Sequence, residues 1–321
     1  MNWTAITLPI GLAAAALAGA LWLGGPGPIA PMASINEPFA KVDFSAVPPN
    51  RHFTARDGAS LAWLHYPAVA ASGETPARRI VLVHGSSARG RSMHPMAQAL
   101  AAAGFDVAAL DMRGHGDSGE RGHITYIGQL EDDIEDFMAA QAWPGPSTLL
   151  GFSSGGGFVL RFAADSRAQL FDRYLLLSPY LHHNSPTKRP GNGDWVSIGL
   201  PRIVGLTILN TLGVTAFNRL TTLRFGLNDT ARPMLTEHYD HTLATNFRPH
   251  SDYAQDIRRI TQPLRIVVGR EDELFDATRF ADVFKEAGHA VPVTLVEGVN
   301  HMGLTLEQRA LQAVIAAAKL E

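Results

Sequence analysis

Gly151-Phe152-Ser153-Ser154-Gly155 follows an apolar run that ends at Leu150 and precedes a segment that reads as a helix. A serine held on a sharp turn from strand to helix adopts a strained backbone. Side chains two positions before and after it then collide unless they are minimal. Gly151 and Gly155 satisfy this condition for Ser153. Ser154 does not meet it, because Phe152 stands two residues before it. The spacing therefore selects Ser153 as the candidate nucleophile.

A serine nucleophile needs a base for its proton, an acid to orient that base, and donors for the developing oxyanion. Pro263–Gly269 reads as a buried strand, and Arg270-Glu271-Asp272-Glu273 lies at its carboxyl end. Val291–Val296 reads as another strand, followed by Glu297-Gly298-Val299-Asn300-His301-Met302-Gly303. Upstream, Arg79–Val83 reads as a strand that runs into His84-Gly85-Ser86-Ser87. That turn can present the backbone N–H of Ser86 to an oxyanion. The N–H of Ser154, next to the nucleophile, is the second candidate donor.

These motifs resemble those of the α/β-hydrolases, and among them the lysophospholipase and monoacylglycerol-lipase branch with its related esterases and serine aminopeptidases. The resemblance rests on Val83-His84-Gly85, Asp111-Met112-Arg113-Gly114-His115-Gly116-Asp117-Ser118-Gly119 with Arg121-Gly122-His123-Ile124, Gly151–Gly155, Gly269-Arg270-Glu271-Asp272 and Gly298-Val299-Asn300-His301. It covers residues 50 to 320. It implies a mostly parallel sheet flanked by helices, with an inserted lid. It also implies a Ser153–Asp272–His301 triad with Ser86 and Ser154 as oxyanion donors, and two-step acyl transfer to water without a cofactor. Among the neighbouring acids Glu271, Glu273 and Asp276, the Gly-x-x-Asp match favours Asp272. The expected substrates are carboxylic esters, with monoacylglycerol or lysophospholipid foremost. Acyl transfer, amide or carbon–carbon cleavage on the same triad, and a non-catalytic binding module are the alternatives.

Composition narrows the class further. The 321 residues are 46% hydrophobic and 18% charged, enough for one large core with an insertion. A formal net charge of −3 gives no electrostatic basis for a nucleic-acid partner. With no cysteine, a disulfide framework, a thiol nucleophile and a cysteine zinc site are all excluded. Ala5–Leu23 carries no charge, and the first charged residue is Glu37. Such a stretch is long enough to span a bilayer. A signal peptide cut near Ala18-Gly19-Ala20 and an amphipathic or soluble extension are the other readings. Gly24-Gly25-Pro26-Gly27-Pro28 reads as a linker that ends the segment. Residues 1–34 are thus expected to stand apart from the fold as an anchor or signal, with the catalytic domain outside the cytoplasm.

The remaining chain divides into a first core part (35–180), a lid (181–260) and a second core part (261–321). In both core parts strands alternate with helices, the pattern of a parallel sheet covered on both faces. His52–Arg56 and Leu61–Tyr66 read as a hairpin about Asp57-Gly58, and the last helix is expected over 304–320. The insertion holds a weakly charged apolar stretch from Trp195 to Val214. It reads either as an acyl-pocket wall that meets lipid or as a face buried on the core. His84 is expected to brace the oxyanion turn, and Asp111–Asp117 to form a structural loop. Asp132, Asp133, Glu135 and Asp136 read as the solvated or capping face of a helix. His182-His183 and His238–His241 lack metal-protease spacing, so no metal is expected. Phe152 and Met302 line either the pocket or the local core.

Overall fold

The computed structural model describes residues 3–69, 78–143, 145–189 and 195–320, and the side chains of all of these but 3–10. Helix α1 (Trp3–Leu23) comes first, and a short turn, α2 (Ala33–Asn36), follows it. Then come β1 (Asn50–Thr54), β2 (Ser60–Tyr66), β3 (Arg79–Val83), α3 (His94–Ala102), β4 (Asp106–Leu110), α4 (Gln129–Gln141), β5 (Ser147–Phe152), α5 (Ser154–Ala163) and β6 (Arg173–Leu177). The insertion supplies β7 (Val196–Ile198), α6 (Leu200–Thr211), β8 (Thr221–Phe225), β9 (His238–Asp240), α7 (His241–Asn246) and α8 (Tyr253–Arg259). The chain closes with β10 (Leu264–Gly269), α9 (Phe280–Glu286), β11 (Val293–Val296), α10 (Gly303–Leu306) and α11 (Gln308–Lys319).

Eight strands form one sheet in the order β1-β2-β4-β3-β5-β6-β10-β11. β1 and β2 pair antiparallel through the expected hairpin, and β2 runs antiparallel to β4. Every other pair in the sheet is parallel. Alternation along β3 shows why both faces are covered. Ile80 and Leu82 join a cluster with Met96 and Leu100 of α3 and Val314 of α11. Val81 and Val83 point the other way, toward Ile134 of α4 and Phe158 of α5. A parallel sheet buried on both sides needs this kind of continuous apolar strand. The strand order also sets the geometry that matters for chemistry. The turns after β3, β5, β10 and β11 all lie at the carboxyl edge, where α/β sheets place their ligands.

The insertion is more ordered than its sequence implies. β7, β8 and β9 form a separate three-stranded antiparallel sheet. The expectation that residues 1–34 stand apart from the fold is also corrected. Leu21 of α1 is buried against Leu206 and Leu209 of α6, and a side chain at Gly205 would meet Leu17, Leu21 and Ala20. Arg202 donates from Nε to the Leu21 carbonyl at 2.7 Å and from Nη2 to that of Trp22 at 3.2 Å, capping the exposed end of α1. Among the described residues no helix is long and apolar enough to cross a membrane. The expected final helix is two, since Glu307 takes an extended conformation between α10 and α11. Asp133 is not solvated; it is buried and paired with Arg113 at 2.7 Å.

Phe137 of α4 is fully buried, with ring centroids 5.3 Å from Phe53, 5.2 Å from Trp63 and 5.7 Å from Trp143. Phe137→Ala is expected to remove about 3–5 kcal/mol of stability in urea unfolding. A loss below about 1 kcal/mol would mean that the aromatic cluster can close over the cavity.

Candidate active site

The turn between β5 and α5 places Ser153 at φ 55°, ψ −120°, a backbone region that side chains disfavour. Close packing holds it there. A Cβ on Gly151 would stand 2.3 Å from the Gly155 carbonyl oxygen, and one on Gly155 would stand 2.1 Å from that of His84. The two glycines thus allow α5 to press against the ends of β5 and β3. That contact also brings the turn after β3 beside the serine. An ideal Cβ on Gly85 would lie 3.3 Å from Ser153 Cβ.

Asp272 follows β10 and His301 follows β11, and these two parallel neighbours bring them together. His301 Nδ1 lies 2.7 Å from Asp272 Oδ2, and His301 Nε2 lies 3.1 Å from Ser153 Oγ. A carboxylate can only accept, so the imidazole proton sits on Nδ1 and the Nε2 lone pair faces the serine hydroxyl. Asp272 Oδ1 accepts the N–H groups of Leu274 and Phe275, each at 2.9 Å. Burial alone raises the Asp272 pKa. Its pairing with His301 and the Phe275 N–H outweigh burial and hold it below the usual carboxylate value. All three side chains are buried.

The rival acids have another use. Glu271 Oε2 accepts the Val299 N–H and Glu273 Oε2 accepts the His301 N–H, both at 2.9 Å. Three successive carboxylates therefore hold the histidine loop, two by its backbone and one by its ring. Phe152 and Met302 are both buried in the core cluster beside this loop. The Phe152 ring lies 4.8 Å from the imidazole of His301, and Phe275, which sequence reasoning did not single out, lies 5.3 Å from it.

The amides of Ser86 and Ser154 have no acceptor among the described residues. Ser154 is the first residue of α5, so its N–H has no intrahelical partner. The peptide that carries the Ser86 N–H is fixed from its other end. His84 Nδ1 lies 2.7 Å from the Gly85 carbonyl oxygen, while Met112 N–H donates to His84 Nε2 at 3.2 Å. Those partners leave one neutral tautomer, protonated at Nδ1. His84 thus braces the turn. Asp111 organises the glycine-rich loop, accepting from Gly90 N–H at 2.6 Å and Asp117 N–H at 2.8 Å. His115 is buried beside His84, with ring centroids 4.7 Å apart. In the other histidine groups, the rings of His182 and His183 lie 4.0 Å apart, and Asp240 caps α7.

A strained serine after β5, an acid and a histidine after the last two strands, and amides after β3 and β5 meet at the carboxyl edge of a mostly parallel sheet, and that fold is the α/β-hydrolase class. The sequence model of the family described as serine aminopeptidase, S33, matches residues 74–308, and the chain belongs to this family of serine hydrolases. A monoacylglycerol lipase of Mycolicibacterium smegmatis is 41% identical over 91 residues, which are 26% of this chain. The chain spans 32% of that curated relative's length. A solved soluble variant of monoglyceride lipase from Saccharomyces cerevisiae shares the fold at 17% identity and a TM-score of 0.64, covering 87% of this chain and 96% of its own. A membrane phospholipase A, described as a bacterial virulence factor, shares it at 18% identity and a TM-score of 0.56, covering 98% of this chain and 97% of its own.

Burial lowers the pKa of His84 from 6.5 to about 4, and that of His115 well below 6.5. In the window between these values and 6.5, the unfolded chain binds protons that the folded chain does not. Stability therefore falls as pH is lowered through that window. Thermal unfolding is expected to show Tm dropping between about pH 7 and about pH 5. A Tm that stays flat over this range would mean that both rings charge without opening the fold.

Proposed function

We propose that this protein hydrolyses carboxylic esters of lipid-like substrates, monoacylglycerol or lysophospholipid, through an acyl-enzyme on Ser153. One observation carries the reading: His301 lies between Ser153 and Asp272 at 3.1 and 2.7 Å, with its lone pair toward the serine. In the first step His301 Nε2 takes the Ser153 proton as Oγ bonds to the ester carbon. The carbonyl electrons move onto an oxygen held by the Ser86 and Ser154 amides, each such donor being worth about 3 kcal/mol in the transition state. The C–O bond to the alcohol then breaks, and the alcohol leaves with the proton from His301. Water activated by His301 attacks the acyl carbon and the sequence runs in reverse, freeing the acid and Ser153. Asp272 stabilises the imidazolium without taking its proton.

The names of the similar lipases support a lipid ester as the substrate class. So does the insertion, which acts in this reading as the lid. Leu200, Val204, Ile208 and Leu212 repeat every fourth residue along α6 and its end, and all are exposed. Leu12, Trp22 and Leu23 of α1, which packs beside α6, are exposed as well. An apolar face of this kind suits a lipid interface, so membrane association through α1 and α6 belongs to the same reading, with the site outside the cytoplasm.

A chain-length series of p-nitrophenyl esters, with monoacylglycerol and lysophospholipid and with Ser153→Ala as the blank, tests the proposal. Long-chain and micellar substrates are expected to dominate. Preference for short soluble esters would make the protein a general carboxylesterase, and turnover of amides alone would replace the ester reading. Asp272→Asn is expected to lower kcat by about 10³–10⁴-fold, because the imidazole loses its enforced tautomer. A loss of less than about tenfold would assign the orienting acid elsewhere.

A further inference from the structure

We propose that Tyr239, carried by the insertion strand β9, is a positioning residue for the oxyanion turn. Its hydroxyl holds the Ser87 amide and so sets the direction of the neighbouring Ser86 N–H. The inference rests on the Ser153 reading above and adds to it a contribution from the insertion.

Ser87 has φ +67°, in the left-handed region that a side chain disfavours. Something must hold it there, and the partners come from the insertion. Ser87 N–H donates to Tyr239 Oη at 2.6 Å. Ser87 Oγ donates to the Thr236 carbonyl at 2.7 Å, and Thr236 N–H donates back to the Ser87 carbonyl at 2.9 Å. One residue of the turn is thus bound at its amide, hydroxyl and carbonyl by the four-residue span from Thr236 to Tyr239.

The proton directions around Tyr239 are determined. His115 Nδ1 faces only carbonyl oxygens, those of Met112 at 3.3 Å and Arg113 at 3.2 Å, so Nδ1 carries the proton. His115 Nε2 is then an acceptor, and it lies 2.6 Å from Tyr239 Oη. The tyrosine proton goes to His115, which leaves the oxygen lone pairs for Ser87 N–H. The ring itself is locked, with His115 edge-on at 5.1 Å and Phe225 at 4.7 Å. The two peptides that flank Ser86 are accordingly pinned from opposite sides. His84 holds Gly85 O and Tyr239 holds Ser87 N–H. A third tie comes from Trp195, whose Nε1–H donates to Ser86 Oγ at 3.1 Å. An oxyanion donor works only if it is aimed before the reaction begins, and this arrangement supplies the aim.

Tyr239→Phe keeps the ring and removes the hydroxyl. The expected result on a p-nitrophenyl ester is a fall in kcat of about tenfold or more, with KM within about twofold. The pH profile is expected to be unchanged, because His301 and Asp272 are untouched. Phosphonylation of Ser153 by a fluorophosphonate probe should slow by a similar factor, since its P=O occupies the same hole. Titration of active sites with that probe separates slow sites from a smaller folded fraction. If Tyr239→Phe does not fold, His115→Leu, which deprives the tyrosine proton of its acceptor, is measured in the same way. Fully titrated sites with kcat within about twofold of the parent protein would overturn the inference, as would a loss confined to KM. Failure of the ester reading looks different, because it appears in the parent protein as absence of Ser153-dependent ester turnover.

Discussion

The close approach of α5 to the ends of β5 and β3 is the constraint on which the site depends. It requires hydrogen in place of a side chain at Gly151 and Gly155, where a Cβ would stand 2.3 and 2.1 Å from backbone oxygens. Granted that contact, Ser153 is forced to φ 55° and its hydroxyl is presented at the carboxyl edge of the sheet. The Ser154 amide becomes the free first N–H of a helix, and the turn after β3 arrives beside it. The placement of the Ser153 hydroxyl and of the Ser86 and Ser154 amides is therefore a consequence of a single packing event. Strain in the backbone is repaid by the buried faces of Phe158, Val159 and Phe162 on α5.

The other half of the site is a loop held by charge. Glu271, Asp272 and Glu273 are consecutive, and all three bind the segment from Val299 to His301. Two of these bonds are to backbone N–H groups, which fix where the loop lies. The third is to the ring, which fixes its tautomer. Because β10 and β11 are parallel neighbours, their carboxyl ends emerge side by side and the bonds span a short gap.

Much of this is legible in the sequence for a physical reason. Glycine spacing, continuous apolar strands and strand-end polar residues are local features, so Ser153, Asp272, His301 and the alternation of core strands with helices can be read from the chain. The insertion is not local. β7 and β9 have three residues each and pair only through β8, while α1 meets α6 across some 180 residues of chain. Length and periodicity mark neither. Glu271 and Glu273 are visible only as competitors of Asp272, because a hydrogen bond to a backbone amide leaves no trace in residue type. The acids around Asp133 range from buried to half-exposed and are paired with distant arginines, and its own burial depends on Arg113, twenty positions away. Tyr239 lies in a run rich in histidine that invites thoughts of metal. Its partners Ser87 and His115 are more than a hundred residues upstream.

The insertion has two parts with different attachments. Tyr239, Leu243 and Phe247 belong to the main core cluster, so β9 and α7 are built into the fold that carries the triad. α6 spends its inner face on α1, through Leu206 and Leu209, and its one charged residue, Arg202, on the end of that helix and the Thr221 carbonyl. Its outer stripe remains apolar and exposed. A helix that is apolar on two faces and attached mainly to another apolar helix is suited to meeting lipid. β9, by contrast, pairs with β8 and buries Tyr239 and Asp240, so one part of the insertion is held by the core and the other by α1.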